Sequence, residues 1–306
     1  MAVLKKFKNK IRPRWVRTFR QLWQSRWRLA AMTRQLGLLN LAGNPLASSK
    51  SSETLFILGS GSSINALTEN EWAQIAAADS LGFNFWPIHD HVPTAYVAEV
   101  CAVPEGEEEN YRRYCELMQI RQHDYAATPI FIKDGERVRA DWLREYLGNF
   151  PAGIRKNMAL TWDWEIPDDT PEAFAATLRR WERWGLLSAE WAPLLRKRAS
   201  VFYLVLLGLR AGYRQIVLCG VDLDNNAYFY RQREAEYTAK GRPVPQPAVA
   251  HAAPVHKTDN LGLGGMPISE ALRILDQEIL QPRGVRLSVG LQSSKLFPVL
   301  PAYFGR

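Results

Sequence analysis

Two short stretches of the chain are apolar at every position and stop abruptly at small residues. Leu55-Phe-Ile-Leu58 runs into Gly59-Ser-Gly-Ser-Ser63, and Ile216-Val-Leu-Cys219 runs into Gly220-Val-Asp222. An uninterrupted apolar run of strand length leaves no face for solvent. It predicts a strand covered on both sides, as in a parallel sheet. A helix is expected beside each run. One extends from about Ser63 or Thr68 through Ala77, and an apolar one, closed by Gly212, spans Ser200 to Ala211. Further strands are predicted at Ser80 to Trp86 (stopped by Pro87), Thr94 to Val100, Pro129 to Lys133 and Val285 to Val289, with a helix over Pro267 to Leu280. Strands alternating with helices predict an α/β fold: a mostly parallel sheet flanked by helices.

Between residues 105 and 198 the pattern is mainly helical, broken by Pro129, Pro151, Pro167 and Pro171. Glu105 to Gln119 predicts a charged helix. Thr170-Pro-Glu predicts a helix start, with Thr as cap, Pro at the first position and an acid after it. Trp142, Trp162, Trp164, Trp181, Trp184 and Trp191 crowd this stretch. Tryptophan stacks on sugar rings, but at helical spacing these residues read as core or interface. Residues 224–255 have little regular pattern. An unpatterned stretch of that length reads as a lid over a site.

Composition changes the picture at one end. The chain has 306 residues, 47% of them apolar, and a net charge of +8. Residues 1–40 hold eleven Lys and Arg and no acid, so the remainder is slightly acidic. Leu4, Phe7, Ile11, Trp15, Phe19, Leu22 and Trp23 recur at spacings of three and four among these cations. The pattern predicts a basic amphipathic helix, broken near Pro13. Such a helix suits the headgroup layer of an anionic membrane. Packing on the body and nucleic-acid binding are the alternatives, the last the least favoured. Residues 40–53 read as a linker, which divides the chain into an arm and linker at 1–53 and a main domain at 54–306. That domain would carry a helical insertion at 105–198 and the lid at 224–255. Cys101, Cys115 and Cys219 lack metal-ligand or disulfide spacing, no apolar run is long enough to span a membrane, and no signal-peptide pattern opens the chain. A cytoplasmic protein, peripheral at the inner membrane face, is expected.

Candidate chemistry gathers at the strand ends, where ligands bind in open α/β sheets. A small-residue turn between a strand and a helix lets backbone N–H groups approach an anion, which marks Gly59 to Ser63. Asn84, near the end of its strand, has the groups to bond a base or sugar, or serves the turn alone. Asp222 is the best-placed carboxylate. His89-Asp-His91 has no third ligand at helical or hairpin spacing and reads as a polar loop rather than a metal site. His256 follows the lid, and imidazole is the side chain suited to take a proton near neutral pH.

Taken in order, these motifs resemble the bacterial sialyltransferases of glycosyltransferase family 42, which use CMP-activated sugars. In that family a Gly-Asn-Gly-Pro-Ser turn follows the first strand, where this chain has Gly59-Ser-Gly-Ser-Ser63. An Arg-Cys-Asn segment is matched by Gly82-Phe-Asn84. Thr-Ser-Gly-Val-Tyr, Gly-Tyr-Lys-Glu-Ile and Gly-Ile-Asp are matched by Ala199-Ser-Val-Phe-Tyr203, Gly212-Tyr-Arg-Gln-Ile216 and Gly220-Val-Asp222. His-Ser-Lys-Asn-Thr-Asp after a lid is matched by His256-Lys-Thr-Asp259, and a closing Pro-Asn-Ser by Leu291-Gln-Ser-Ser294. The likeness comes in islands across residues 54–298.

The resemblance implies a modified GT-A, Rossmann-like fold, inversion at the anomeric carbon, and no metal or cofactor. It implies His256 as general base and Gly59, Ser60, Gly61, Ser62, Asn84, Ser200, Gly220, Asp222 and Ser293 around the donor. Of the family's two lid tyrosines on the leaving phosphate, the first falls on Asp224 and the second on Tyr228 or Tyr230. The implied partners are a CMP-activated sialic-acid-like or Kdo donor and a glycan or glycolipid acceptor; the pattern of residues 1–40 adds an anionic membrane, and no nucleic acid is expected. A homo-oligomer stays open. The alternatives are a diphosphokinase-like enzyme of similar fold and a non-catalytic nucleotide- or glycan-binding protein.

Overall fold

A computed structural model describes residues 14–39, 45–99, 108–133, 140–190, 192–223, 227–246, 256, 258–260 and 265–305. Leu4, Phe7, Ile11, the break at Pro13, Cys101, Trp191 and Asp224 lie outside the described residues, as do the side chains of Trp15, Phe19 and Trp142. The strands are β1 (Thr54–Leu58), β2 (Asp79–Phe83), β3 (Ala95–Glu99), β4 (Ile130–Lys133), β5 (Met158–Leu160), β6 (Asp163–Glu165), β7 (Leu194–Arg196), β8 (Gln215–Cys219) and β9 (Arg286–Val289). The helices are α1 (Arg14–Gln35), α2 (Pro45–Ser48), α3 (Glu69–Ala76), α4 (Glu108–Ile120), α5 (Ala140–Gly148), α6 (Ala152–Arg155), α7 (Pro171–Arg183), α8 (Ser200–Arg210), α9 (Phe229–Gln232), α10 (Glu234–Ala239) and α11 (Ile268–Leu275).

Seven strands form one parallel sheet in the order β5-β4-β3-β2-β1-β8-β9. From β1 the chain builds outward to β5, then returns past β1 to add β8 and β9. The direction of building therefore reverses between β1 and β8, whose registers run from Thr54 opposite Gln215 to Leu58 opposite Cys219. Strand pleating explains why β1 is apolar from Leu55 to Leu58. Leu55 and Ile57 enter the core on one face, with the buried residues of α8 and α11, while Phe56 and Leu58 enter the other with Ile75, Leu117 and Met118. Val201 to Leu209 are all buried, and each large apolar side chain so covered contributes about 1.5–3 kcal/mol. Gly208 lets α8 close on the sheet: a methyl there would stand 2.8 Å from Leu55 Cδ2.

Helix starts follow their sequence signals. Thr68 and Glu71 cap α3 reciprocally, and Thr170 accepts the N–H of Ala173 at the start of α7. Three expectations change. The second strand ends at Phe83, not Trp86, because Asn84 turns the chain with φ +54° and Trp86–Ile88 forms a 3-10 turn. Besides the expected strand β4, the described residues of 105–198 hold three further strands as well as helices. β4 and β5 extend the main sheet, and β6 and β7 make a separate parallel pair. Three-residue strands carry too little pattern to be read without their partners. The first arm helix is also part of the body. Leu22 and Met32 are buried in the two cores, and Leu39 N–H donates to Met158 O, covering the β5 edge. The tryptophans behave as core or interface: Trp162 and Trp181 are buried, and Trp164 and Trp184 pack against them or their neighbours.

The His89-Asp-His91 loop is held by structure. His89 lies between Trp72 and Trp86, ring centroids 4.8 and 4.7 Å away, and its Nδ1 accepts the His91 N–H. Arg121, itself buried, donates to the carbonyls of Pro87, His89 and Asp90. Burial first, and then the neighbouring His91, lowers the His89 pKa to about 3. An unfolded chain takes up this proton near pH 6.5, whereas the folded one refuses it until about pH 3. The stability this provides is complete above about pH 6.5 and is lost as pH falls toward 3. Urea unfolding at pH 7 and pH 4.5 should show the wild type losing about 2 kcal/mol more than His89→Phe over that interval. Equal losses would mean that His89 is not the group refusing the proton.

Candidate active site

The candidate site lies at the carboxyl ends of β1 and β8, where the sheet changes its direction of building. Two turns meet there almost without side chains between them. Gly59 N–H donates to Cys219 O at 2.7 Å, and Gly61 N–H to Gly220 O at 2.8 Å. A methyl on Gly59 would lie 2.9 Å from the Gly220 carbonyl carbon. One on Gly220, whose φ is +67°, would lie 2.6 Å from Ile64. Asp222, buried, reaches across to the turn and accepts from the Ser63 N–H at 3.0 Å and the Ser63 hydroxyl at 2.5 Å, with Ser62 Oγ 3.5 Å away. The open phosphate cradle expected at Gly59 to Ser63 is thus engaged internally at three of its N–H groups, and the nearest anion is the protein's own carboxylate. A methyl on Gly61 would meet that carboxylate, 2.7 Å from Asp222 Cγ. Ser60 is different: its hydroxyl is buried and has no hydrogen-bond partner among the described residues.

Residues 227–246, the described part of the stretch expected as a lid, are docked on this turn. Phe229 N–H donates to Ser60 O, and Asn65 Nδ2 to Phe229 O. Tyr228 and Tyr230 stack with centroids 5.3 Å apart and planes 8° from parallel. Farther along, Asp90 pairs with Lys240 and Arg242 at 2.7 Å each, and Arg113 donates to Val244 O. Two short helices, α9 and α10, replace the expected irregular run.

His256 joins the cleft through its backbone, donating its N–H to Leu223 O one residue past Asp222. Its Nδ1 lies 2.8 Å from Thr258 Oγ1. Asp259, buried, fixes the segment by accepting from Ser269 N–H and Oγ and pairing with Lys295 at 2.7 Å. Lys295 N–H in turn donates to Asp222 O. Ser294, not Ser293, faces this cluster, donating to Val221 O at 2.7 Å; Ser293 is exposed. Cys219 stays a protonated thiol, pushed up by burial and then by the carboxylates of Glu71 and Asp222.

Asn84 and Ser200 sit elsewhere along the same row of strand ends. The Asn84 carbonyl accepts the Tyr96 hydroxyl at the end of β2. Ser200 opens α8 and is tied to two residues that sequence reading passed over: its Oγ accepts from Lys133 Nζ at 2.9 Å and donates to Glu99, and Lys133 pairs with Glu99 at 3.1 Å. A charged residue as the last member of each buried run, Ala95–Glu99 and Ile130–Lys133, was the available signal.

No protein-family model and no curated protein matches the sequence. Among solved structures the chain is similar to the monofunctional alpha-2,3-sialyltransferase Cst-I from Campylobacter jejuni, at 17% identity and a TM-score of 0.43, over 83% of this chain and 81% of that one.

The packing of the two turns makes a direct prediction. Gly61→Ala should cost about 1–3 kcal/mol in urea unfolding, because the methyl must displace Asp222 or the Gly220 carbonyl. Gly148→Ala, where nothing lies within 4 Å, should be neutral or stabilising by up to about 1 kcal/mol. Similar results at the two sites would show that the turns are not in close contact.

Proposed function

We propose that the cleft transfers a sialic-acid-like or Kdo sugar from a CMP-activated donor to a glycan or glycolipid acceptor, with inversion at the anomeric carbon and without a metal. One observation supports this above the others: His256, the Gly59–Ser63 turn, Asp222 and the tyrosine pair converge at the switch between β1 and β8. The ordered motifs that resemble the CMP-sugar transferases supply the rest of the reading.

In this reading an acceptor hydroxyl attacks the anomeric carbon from the face opposite CMP. The new C–O bond forms as the bond to the phosphate oxygen breaks, the electron pair leaves with CMP, and the hydroxyl proton passes to His256. When Nδ1 donates to Thr258 Oγ1, Nε2 carries the lone pair that takes this proton. Tyr228 and Tyr230 act on the leaving phosphate by donating from their phenols. The unsatisfied Ser60 hydroxyl, Ser62, Asn84 and Ser200 bind the donor, and Gly59, Gly61 and Gly220 keep the two turns beside it in contact. Asp222 orients the turn by holding Ser63. Ser293 stands at the rim, next to the buried Ser294. The reaction is assigned to the cytoplasmic face of the inner membrane, where a lipid-linked acceptor is within reach.

His256→Ala should lower the transfer rate by about 10²–10⁴-fold, the usual contribution of a positioned base, and leave CMP affinity nearly unchanged. The wild-type rate should rise with pH through one ionisation near about 6–7, where imidazole loses its proton, and the variant should lack that limb. A variant with near-normal transfer and the same limb would remove His256 from the mechanism. Stabilisation of the protein by ATP and Mg²⁺ but not by CMP in a thermal-shift measurement would favour a diphosphokinase-like reaction instead.

A further inference from the structure

Helix α1 has two apolar edges, and the body uses one. Leu22 is fully buried, Met32 is 5% exposed, and Leu29 packs against both cores. On the opposite side Trp23 and Trp27 are 54% and 62% exposed, among the exposed residues Gln24, Arg26, Arg28, Ala30, Ala31 and Arg34. At 100° per residue Trp23, Trp27 and Arg34 fall within one narrow strip, about half a turn from Leu22, Leu29 and Met32. The two indoles meet edge to face, centroids 6.0 Å apart, and the Arg26 guanidinium lies 5.7 Å from the Trp23 ring. The helix holds six arginines and no acid in 22 residues.

We propose that this outer strip is an interfacial membrane contact, with Trp23 and Trp27 inserted at the acyl boundary of an anionic bilayer and the arginines on the lipid phosphates. Charge decides the occupant. A helix with six arginines and no acid attracts lipid phosphate, whereas a second copy would bring six more arginines against it. The indoles decide the depth. Tryptophan, apolar with one polar N–H, settles at the headgroup boundary, and a solvent-facing pair is otherwise left wet. Because the inner edge of α1 is part of the core, the contact is rigid. Binding orients the whole body against the membrane instead of tethering it on a flexible arm.

The test uses the full chain without donor or acceptor, so its failure leaves the transfer reaction untouched. Sedimentation with vesicles of phosphatidylcholine alone, and of phosphatidylcholine with phosphatidylglycerol, reads the binding. The wild type should bind the anionic vesicles and weaken as salt is raised. The double variant Trp23→Ala/Trp27→Ala should bind at least about tenfold more weakly, with its thermal unfolding unchanged because both side chains are exposed. Equal binding by the double variant, or equal binding to neutral vesicles, would overturn the proposal. So would a concentration-dependent dimer or an RNA complex that the double variant abolishes, since either would identify a different occupant.

Discussion

The constraint on which the site depends is the close approach of two backbones at the carboxyl ends of β1 and β8. Parallel neighbours diverge at a switch point and leave a crevice. Here the two backbones are drawn together at Gly59 and Gly220, each standing where a side chain would strike the other turn. Once they touch, the positions of other groups follow. Asp222 falls within reach of Ser63, Phe229 N–H within reach of Ser60 O, and Leu223 O within reach of His256 N–H. Segments from three distant parts of the chain are thus joined by main-chain contacts.

Buried charge is handled consistently through the molecule. Asp79, 1% exposed at the amino end of β2, accepts from Ser51 N–H and Oγ, Ser52 N–H and the Tyr213 hydroxyl, which pins the linker to the sheet. Arg210, whose pKa burial lowers to about 10, donates to the carbonyls of Leu186, Leu187, Ala192 and Pro193. Arg121 does the same for the His89 loop. Each group loses its water but gains several directed hydrogen bonds. Removing any one of them would leave the others unsatisfied, a larger loss than the bond itself.

The segment that reads as a lid is held on the body by ion pairs and by aromatic packing. Asp90 with Lys240 and Arg242, Arg113 with Val244 O, and Phe229 against Trp86 and His89 hold it on the body. Surface pairs such as Lys240–Asp90 contribute little individually. The aromatic contacts of Phe229, which is fully buried, carry more of the docking.

The sequence by itself determined the class of the fold, the two central strands, the helices beside them and the turns that end them. Those features are local: an apolar run too short to leave a solvent face, a capping Thr, a Gly where the chain must reverse. It marked Asp222, His256 and the Gly59–Ser63 turn for the same reason, since small residues and titratable groups at strand ends are visible one segment at a time. What it could not decide is who faces whom. The strand order, the edge strands β5 to β7, the seat of Leu22 in the core, Asp222 as the partner of the glycine-serine turn, and Lys133 with Glu99 around Ser200 all depend on contacts between residues far apart in the chain. A charge at a strand end has the same local signature whether it meets solvent, a ligand or another charge; only the packed sheet decides which.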